Sequence, residues 1–293
     1  MQEKQNAAPA VAAVHDLSCV GRCALTVVIP ALAAMGIQPV PLPTAVLSTH
    51  TGGYEGMAVR DLTDFLPECI AHWRRLNLKL DAIYSGYLAS TFQVDMVREL
   101  AKWQKEENGA LIIVDPVMGD EGRMYSAIPK EMPGHMKRLC VGADLITPNL
   151  TEAALMLEMP YPEGSVDTET LKAMLAGFEA ETTVITSVPL PDGRFANVCR
   201  TRSTGETMLC TYDRVPVHYP GTGDLFTSVM TGYMVQGQGA GEAMRRATAF
   251  LGRVIEESSR VESEVRAGVQ LESALRYLLD ERALEILPAL ETI

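Results

Sequence analysis

The stretch Pro220-Gly221-Thr222-Gly223-Asp224-Leu225-Phe226 bears most directly on the fold and function of this chain. Its small and flexible residues let the backbone turn tightly, so that several N–H groups can point at one anion. The apolar run at 225–235 predicts a helix directly after the turn, and the positive end of that helix would strengthen an anion site. Asp224 is then either a helix cap or a base that takes a proton from a hydroxyl attacking a phosphoryl group. The heptapeptide alone leaves both interpretations open.

On both sides of this turn, short apolar runs alternate with segments of helical spacing. Strands are predicted at 11–14, 40–47 (one strand or two), 82–87, 110–114, 144–147 and 183–186, with an antiparallel hairpin at 194–200 and 207–214. Helices are predicted at 24–35, 64–76, 92–104, 130–139, 151–157, 168–180, 225–235, 241–258 and 271–279. Because buried strands alternate with helices, we expect an α/β fold with a mostly parallel central sheet, helices on both faces and an antiparallel edge hairpin. Residues 10–293 are expected to form one domain after a flexible leader at 1–9.

The composition narrows the class of partner. The chain has 293 residues, 47% of them hydrophobic, and a net charge of −12, which argues against nucleic acid and anionic membranes as partners. A phosphate ligand would therefore have to be held by backbone N–H groups and metal ions. We find no run of about 20 apolar residues and no signal peptide, so a cytoplasmic location is expected. The six cysteines are scattered without zinc-site spacing, so we expect reduced thiols.

Polar residues follow the predicted strands, where open α/β sheets bind their ligands. They are His15-Asp16, Ser85-Gly86-Tyr87, Asp115 to Asp120, Thr147-Pro148-Asn149 with Glu152, Thr186-Ser187 and the Gly221 turn. Each alone is typical of a cap or turn, but together they indicate a ligand site. Asp115, Asn149 and Glu152 supply the hard oxygens that Mg²⁺ accepts beside nucleotide phosphates. Neither a P-loop nor a GxGxxG motif is present to explain the set.

The histidines carry weaker signals. His15, at a strand end, either touches a ligand or bonds a neighbouring loop, and His50 is expected at the rim of the pocket. His72, His135 and His218 have no partner pattern and are interpreted as surface or structural residues.

Five blocks in this order and spacing resemble pyridoxal kinases of the ribokinase-like superfamily. The blocks are the loop containing Ser18, Ser48-Thr49-His50-Thr51, Ser85-Gly86-Tyr87-Leu88, Asp115-Pro116-Val117-Met118-Gly119-Asp120 with Ile146 to Glu152, and Gly221 to Phe226. They span about residues 11–260. The resemblance implies a ribokinase-like three-layer α/β/α sandwich and ATP-dependent phosphorylation of the 5′-hydroxymethyl group of pyridoxal, pyridoxamine or pyridoxine. It also implies a homodimer, and it leaves open whether K⁺ or Na⁺ assists.

The resemblance also implies residue roles. Asp224 would be the base, and the amides of Gly221, Thr222 and Gly223 would form the anion hole for the γ-phosphoryl group. Asp115 and Glu152 would organise Mg²⁺. The nucleotide would be contacted by Thr147, Asn149, Thr186 and Ser187, and Tyr125 lies in the stretch that closes over ATP. The pyridine ring would be held by Ser18, Thr51 and Tyr87.

The sequence departs from the family in two places. Many relatives have Gly-Asn in the first loop where this chain has Arg22-Cys23-Ala24-Leu25, and some have a basic residue where it has Thr186-Ser187. Two other functions stay open. One is a hydroxymethylpyrimidine kinase of thiamin synthesis, which would be expected to have an Ala-Gln-Asn-Thr type of segment at 48–51. The other is a vitamer-binding protein without turnover, which would have no use for a base beside an anion hole.

Overall fold

The computed structural model describes residues 7–280, 284 and 287–293. In these residues the strands are β1 (Ala10–Ser18), β2 (Gln38–Leu47), β3 (Val59–Asp61), β4 (Ala82–Ser85), β5 (Leu111–Val114), β6 (Gly119–Asp120), β7 (Arg123–Met124), β8 (Leu145–Ile146), β9 (Thr182–Pro189), β10 (Phe195–Thr201), β11 (Thr207–Tyr212) and β12 (Leu290–Thr292). The helices are α1 (Leu25–Ala34), α2 (Phe65–Arg75), α3 (Thr91–Asn108), α4 (Met132–Cys140), α5 (Leu150–Leu157), α6 (Thr168–Ala176), α7 (Thr222–Val235), α8 (Ala240–Ser259), α9 (Leu271–Ala274) and α10 (Arg276–Leu279). Of the predicted leader, residues 1–6 lie outside the described part of the chain.

A ten-stranded sheet forms the centre, in the order β12-β11-β10-β9-β8-β5-β4-β1-β2-β3. The run from β9 to β2 is parallel, while β10, β11 and β12 at one edge and β3 at the other pair antiparallel. The predicted α/β class, the mostly parallel sheet and the antiparallel edge hairpin are therefore confirmed. The sequence analysis missed the short strands β3, β6, β7 and β12, and α9 and α10 replace the single predicted helix at 271–279.

The proline-rich β2 forms one strand, which settles the choice between one and two. Gln38 donates its backbone N–H to the carbonyl of Pro9, just before β1. The backbone N–H groups of the even-numbered residues of β2 therefore point toward β1. Pro39, Pro41 and Pro43 are odd-numbered, so their backbone nitrogens point away from β1. Their missing N–H groups therefore remove no hydrogen bond between β1 and β2. Edge strand β3 pairs only with residues 45–47, beyond the last of these prolines.

Two apolar layers cover the sheet. One is built by α2 to α6, with buried residues such as Leu100 and Met136, and the other by α1, α7, α8, α9 and α10, with Val28 and Phe250. Every residue from Leu225 to Tyr233 in α7 is buried, so this helix lies at the centre of its layer. The three-layer architecture follows from this division. In the described part of the chain, no helix combines the length and apolar character needed to cross a membrane.

The sheet order places a binding crevice beside β1. The chain leaves β1 through α1 to β2 on one side, whereas β4 lies on the other side of β1. Parallel sheets bind ligands at such a switch point, outside the carboxyl ends of the strands. The ends of β1 and β4 meet the start of α7 there, because the backbone carbonyl of Asp224 accepts a hydrogen bond from Tyr84 of β4 at 3.3 Å.

Candidate active site

A cleft of about 1000 Å³ opens at this switch point. Such a volume is at the upper end of the range for small-molecule sites. The predicted site residues that line it are Ser18, Thr51, Tyr87, Asp115, Tyr125, Asn149, Glu152, Thr186, Gly221, Thr222, Gly223 and Asp224. Thr147 and Ser187 are not among the residues that line it. One continuous cleft therefore brings together residues from seven separate stretches of sequence.

The Gly221 turn is the N-terminus of α7. Gly221 is the N-cap with φ of +78°, and a Cβ atom there would lie 2.2 Å from the carbonyl oxygen of Arg22. The position therefore requires glycine. The helix starts at Thr222, earlier than the predicted 225, so Thr222, Gly223 and Asp224 form its first turn. Amides in a first turn have no partner within the helix and can bind an anion.

Asp224 does not cap the helix, so the simpler of its two interpretations is wrong. Its Oδ1 lies 3.0 Å from His15 Nε2, and its Oδ2 accepts the N–H of Ala24 at 2.7 Å. Burial acts to raise the pKa of Asp224, but the charge and hydrogen bond of His15 and the Ala24 N–H outweigh it, and the pKa lies below its ordinary value. Asp224 is thus an ionised carboxylate in the first turn of a helix, facing a cleft.

His15 is the main residue whose importance the sequence did not reveal. It is 3% exposed, and its Nδ1 lies 2.9 Å from Asp16 Oδ1 while its Nε2 faces Asp224. Burial lowers the pKa of His15, but Asp224 and Asp16 outweigh it and raise the pKa to about 10. The only sequence signal was a histidine and an aspartate together at a strand end.

Asp115 and Glu152 lie deeper in the cleft, and both are buried. Burial and the charge of Asp224 raise the pKa of Asp115 to about 7. Burial and Asp115 raise the pKa of Glu152 well above its ordinary value, although Glu152 accepts N–H groups from Met118 and Asn149. Two buried carboxylates that oppose each other's ionisation suit a divalent cation, which would relieve the repulsion.

Asn149 has a different role from the metal ligand that its oxygen suggested. Its Oδ1 accepts the Glu152 N–H at 2.9 Å in a capping box, and its Nδ2 donates to the Gly119 carbonyl at 2.8 Å. Asn149 therefore orients Glu152. Within the described ranges, no group of three or more His, Cys, Asp or Glu side chains is arranged to hold a metal. Mg²⁺ at Asp115 and Glu152 would complete its shell with water and phosphate oxygens, as it commonly does.

Thr147 lies behind the cleft rather than along it. Its buried hydroxyl is 2.8 Å from the hydroxyl of Thr227, which donates to Asp115 Oδ2 at 3.2 Å. Ser187 follows Thr186 and is exposed, with φ of +55°, and Tyr212 donates its hydroxyl to the Ser187 Oγ at 3.2 Å. The geometry thus gives Thr147 an indirect connection to Asp115 through Thr227.

The hairpin β6-β7 forms one rim of the cleft. Its turn is anchored because Gly122 donates its N–H to Thr151 Oγ1 at 2.9 Å, and Tyr125 follows it, 46% exposed. His218 Nε2 lies 3.9 Å from Asp120 Oδ2 on this rim. His218 is a surface residue, as predicted, with its side chain 62% exposed, and it also lines the cleft. An exposed hairpin beside a cleft is a segment that can contact a nucleotide.

The opposite end of the cleft holds Ser18, Tyr87 and Thr51. Ser18 is fully buried and donates its hydroxyl to Asp16 Oδ2 at 2.9 Å. His50 accepts the Gly52 N–H at Nδ1 and therefore donates from Nε2 to the Arg266 carbonyl at 2.6 Å. This bond holds the loop of Thr51 against the 3₁₀ turn Val265–Ala267, and His50 lies at the pocket rim, as predicted.

Arg22, the departure in the first loop, turns away from the cleft. Its Nε is 2.9 Å from the Glu272 carboxylate, and its backbone N–H donates to the Ala267 carbonyl. Cys23 lines the cleft instead, and Ala24 donates its backbone N–H to Asp224. Burial and the charges of Asp224 and Asp16 raise the pKa of the Cys23 thiol, which stays protonated.

Comparison with known proteins connects this geometry to a family. The chain matches the family model for phosphomethylpyrimidine kinase over residues 29–268. The curated pyridoxine/pyridoxal/pyridoxamine kinase of Bordetella avium is 28% identical over 283 residues, covering 93% of this chain and 89% of that protein.

Solved structures agree. A Bacteroides thetaiotaomicron protein provisionally named a phosphomethylpyrimidine kinase, crystallised with pyridoxal, is 42% identical with a TM-score of 0.88, covering 98% of this chain and 100% of its own. Pyridoxal kinase from Lactobacillus plantarum is 34% identical with a TM-score of 0.84, covering 94% of this chain and 97% of its own. Matched over most of its length, the chain belongs to the phosphomethylpyrimidine kinase family and, within the ribokinase-like superfamily, to the pyridoxal kinases.

Proposed function

We propose that this chain transfers the γ-phosphoryl group of ATP to the 5′-hydroxymethyl group of pyridoxal, pyridoxamine or pyridoxine. The observation that carries the proposal is Asp224, a partly buried and ionised carboxylate in the same helical turn as the free amides of Thr222 and Gly223. A site that only binds a vitamer has no use for a base beside an anion hole. The relatives named above as pyridoxal kinases supply the substrate class.

In the proposed reaction the 5′-hydroxyl oxygen attacks the γ-phosphorus. A new O–P bond forms as the bond from the γ-phosphorus to the ADP oxygen breaks, and the hydroxyl proton passes to Asp224. The amides of Gly221, Thr222 and Gly223 hold the moving phosphoryl group in line between the two oxygens. Phosphoryl transfer depends mainly on such positioning and on charge neutralisation.

The vitamer and the nucleotide would bind at opposite ends of the cleft. Ser18, Thr51 and Tyr87 would hold the pyridine ring at the end nearest Asp16. Asn149, Thr186, Ser187 and Tyr125 would hold the nucleotide at the end nearest the β6-β7 hairpin, with Thr147 acting through Thr227. Asp115 and Glu152 would hold Mg²⁺, which supplies neutralisation of phosphate charge when bound. A monovalent cation near the anion hole, a homodimer and a cytoplasmic location are further parts of the proposal.

The test offers pyridoxal, pyridoxamine, pyridoxine and hydroxymethylpyrimidine separately, each with ATP and Mg²⁺, and identifies products by mass. Phosphorylation of a B6 vitamer supports the proposal and gives the vitamer preference. The family model's own name favours the pyrimidine as the second candidate substrate, and its turnover alone would move the chain to thiamin synthesis. Tight vitamer binding without any product would favour a binding protein.

A further inference from the structure

We propose that His15 is a positioning residue, an imidazolium held between Asp16 and Asp224 that keeps the Asp224 carboxylate ionised and fixed in orientation. The inference rests on the proposed function, in which Asp224 is the base. His15 itself would not touch the reacting atoms.

The first observation is the geometry of the His15 ring, which is buried between two carboxylates. Each ring nitrogen of His15 has a carboxylate oxygen within about 3 Å, Asp16 Oδ1 at 2.9 Å and Asp224 Oδ1 at 3.0 Å. The side chain of His15 is 4% exposed, and those of Asp16 and Asp224 are 11% and 13% exposed. Asp16 is itself held by the Ser18 hydroxyl.

The second observation is that the backbone is shaped around the ring. A Cβ atom built at Gly86, just after β4, would lie 2.0 Å from His15 Cδ2 and 2.2 Å from Nε2. The three atoms nearest to that position all belong to the imidazole. The glycine therefore makes room for the ring in this position between the two carboxylates.

The charge follows from the donors and acceptors. A neutral imidazole has one N–H and one lone pair. The Asp16 N–H also lies 2.9 Å from Nδ1 and would be its donor in a neutral ring. In that state, however, the Nδ1 lone pair would face Asp16 Oδ1 at 2.9 Å with no proton between them. Protonation of both nitrogens gives up the bond from the Asp16 N–H but gives each carboxylate a charge-assisted donor, which is the stronger kind of bond, so the imidazolium is the favoured state.

The surrounding charges show why Asp224 needs this partner. His15 is surrounded by the carboxylates of Asp16 from β1 and Asp224 from α7. The charge of Asp224 in turn interacts with Asp115, directly after β5, and with the imidazole of His50. Without the imidazolium, burial and Asp115 would together oppose the ionisation of Asp224. With it, Oδ1 is bound by His15 and Oδ2 by the Ala24 N–H, so the carboxylate cannot rotate freely.

The first experiment measures the charge directly and needs no turnover. Nitrogen-15 NMR of the imidazoles in the full chain, with the His15 signal assigned from His15→Gln, should show His15 as an imidazolium up to about pH 9. Asp16→Asn should bring its titration to lower pH. A neutral His15 at about pH 8 in the unsubstituted chain would overturn the proposal.

The second experiment measures the consequence for turnover. His15→Gln should lower kcat by about tenfold or more at neutral pH with little change in the vitamer KM, and move the acidic limb of the kcat profile to higher pH. Asp16→Asn, which leaves the ring in place, should leave the acidic limb close to that of the unsubstituted chain, because His15 stays protonated at those pH values. An equal loss at every pH would mean a structural role only and would overturn the proposal. If the unsubstituted chain phosphorylates no vitamer, the proposed function fails, and the NMR titration still decides the charge of His15.

Discussion

Gly86→Ala is expected to damage the active site without altering any polar side chain. The added Cβ would lie 2.0 Å from His15 Cδ2, much closer than carbon atoms approach each other. Displacement of the ring would break favourable contacts, because each of its nitrogens is hydrogen-bonded to a carboxylate. Overpacking of this kind costs about 1–3 kcal/mol, and displacement of the imidazole would also leave Asp224 a partly buried charge without its His15 partner. Lower stability and lower kcat should therefore appear together.

A double-mutant cycle separates this cause from a general defect. Urea unfolding and vitamer phosphorylation are measured for Gly86→Ala, His15→Ala and the pair. Once the ring is removed, the alanine at 86 has space, so its cost in the His15→Ala background should fall below about 0.5 kcal/mol.

The matched control is Gly252→Ala. Gly252 lies inside α8, and apart from its chain neighbours and the nearby backbone of that helix no atom of the described residues lies within 4 Å of its Cβ position. This change should stabilise the chain by about 0.5–1 kcal/mol and leave turnover unchanged. An equal cost of Gly86→Ala with and without His15 would refute the reasoning.

Three further predictions concern the catalytic groups. Asp224→Asn should lower turnover by about 10²–10⁴-fold while vitamer binding, measured by calorimetry, stays within a few-fold; near-normal turnover would contradict the assignment of the base. Gly221→Ala, at φ of +78° and with its Cβ 2.2 Å from the Arg22 carbonyl oxygen, should destabilise the chain by about 1–3 kcal/mol in urea unfolding, and unchanged stability would argue against the observed turn. The raised pKa of Asp115, from 3.8 to about 7, means that its protonated form contributes stability below about pH 4 that is lost as the pH rises through about 7. The unfolding free energy, compared with Asp115→Asn, should therefore fall across that range and recover with Mg²⁺, and a flat difference would count against this effect.

The fold was largely predictable because its information is local. Apolar runs such as 110–114 and helical spacing such as 92–104 each encode one element, and their alternation leaves few topologies. The missed strands are short, and β12 pairs with β11, far away in the sequence. Its pairing depends on tertiary contacts that no local pattern carries.

The candidate site could be predicted only in part from the sequence. The glycine turn and the carboxylates at strand ends could be recognised by residue type. The rule that parallel sheets bind ligands at the carboxyl ends of their strands indicated that these residues lie close together. The partners were not visible, because each joins distant parts of the chain: His15 with Asp224, Arg22 with Glu272, and Thr147 with Thr227. Asn149 shows the limit well. Its residue type suits a metal, yet its capping box commits it to Glu152.

The negative charge of the cleft indicates that a nucleotide would bind as its magnesium complex. Carboxylates line it at Asp16, Asp115, Asp120, Glu121, Glu152 and Asp224, whereas Arg266 is the arginine in its lining. A free nucleotide triphosphate would meet repulsion from most of these groups. Its magnesium complex carries less negative charge and brings the cation that Asp115 and Glu152 suit. The acidic composition and the proposed anion hole of backbone amides are therefore compatible only if metal and nucleotide bind together, and nucleotide affinity should depend steeply on Mg²⁺ concentration.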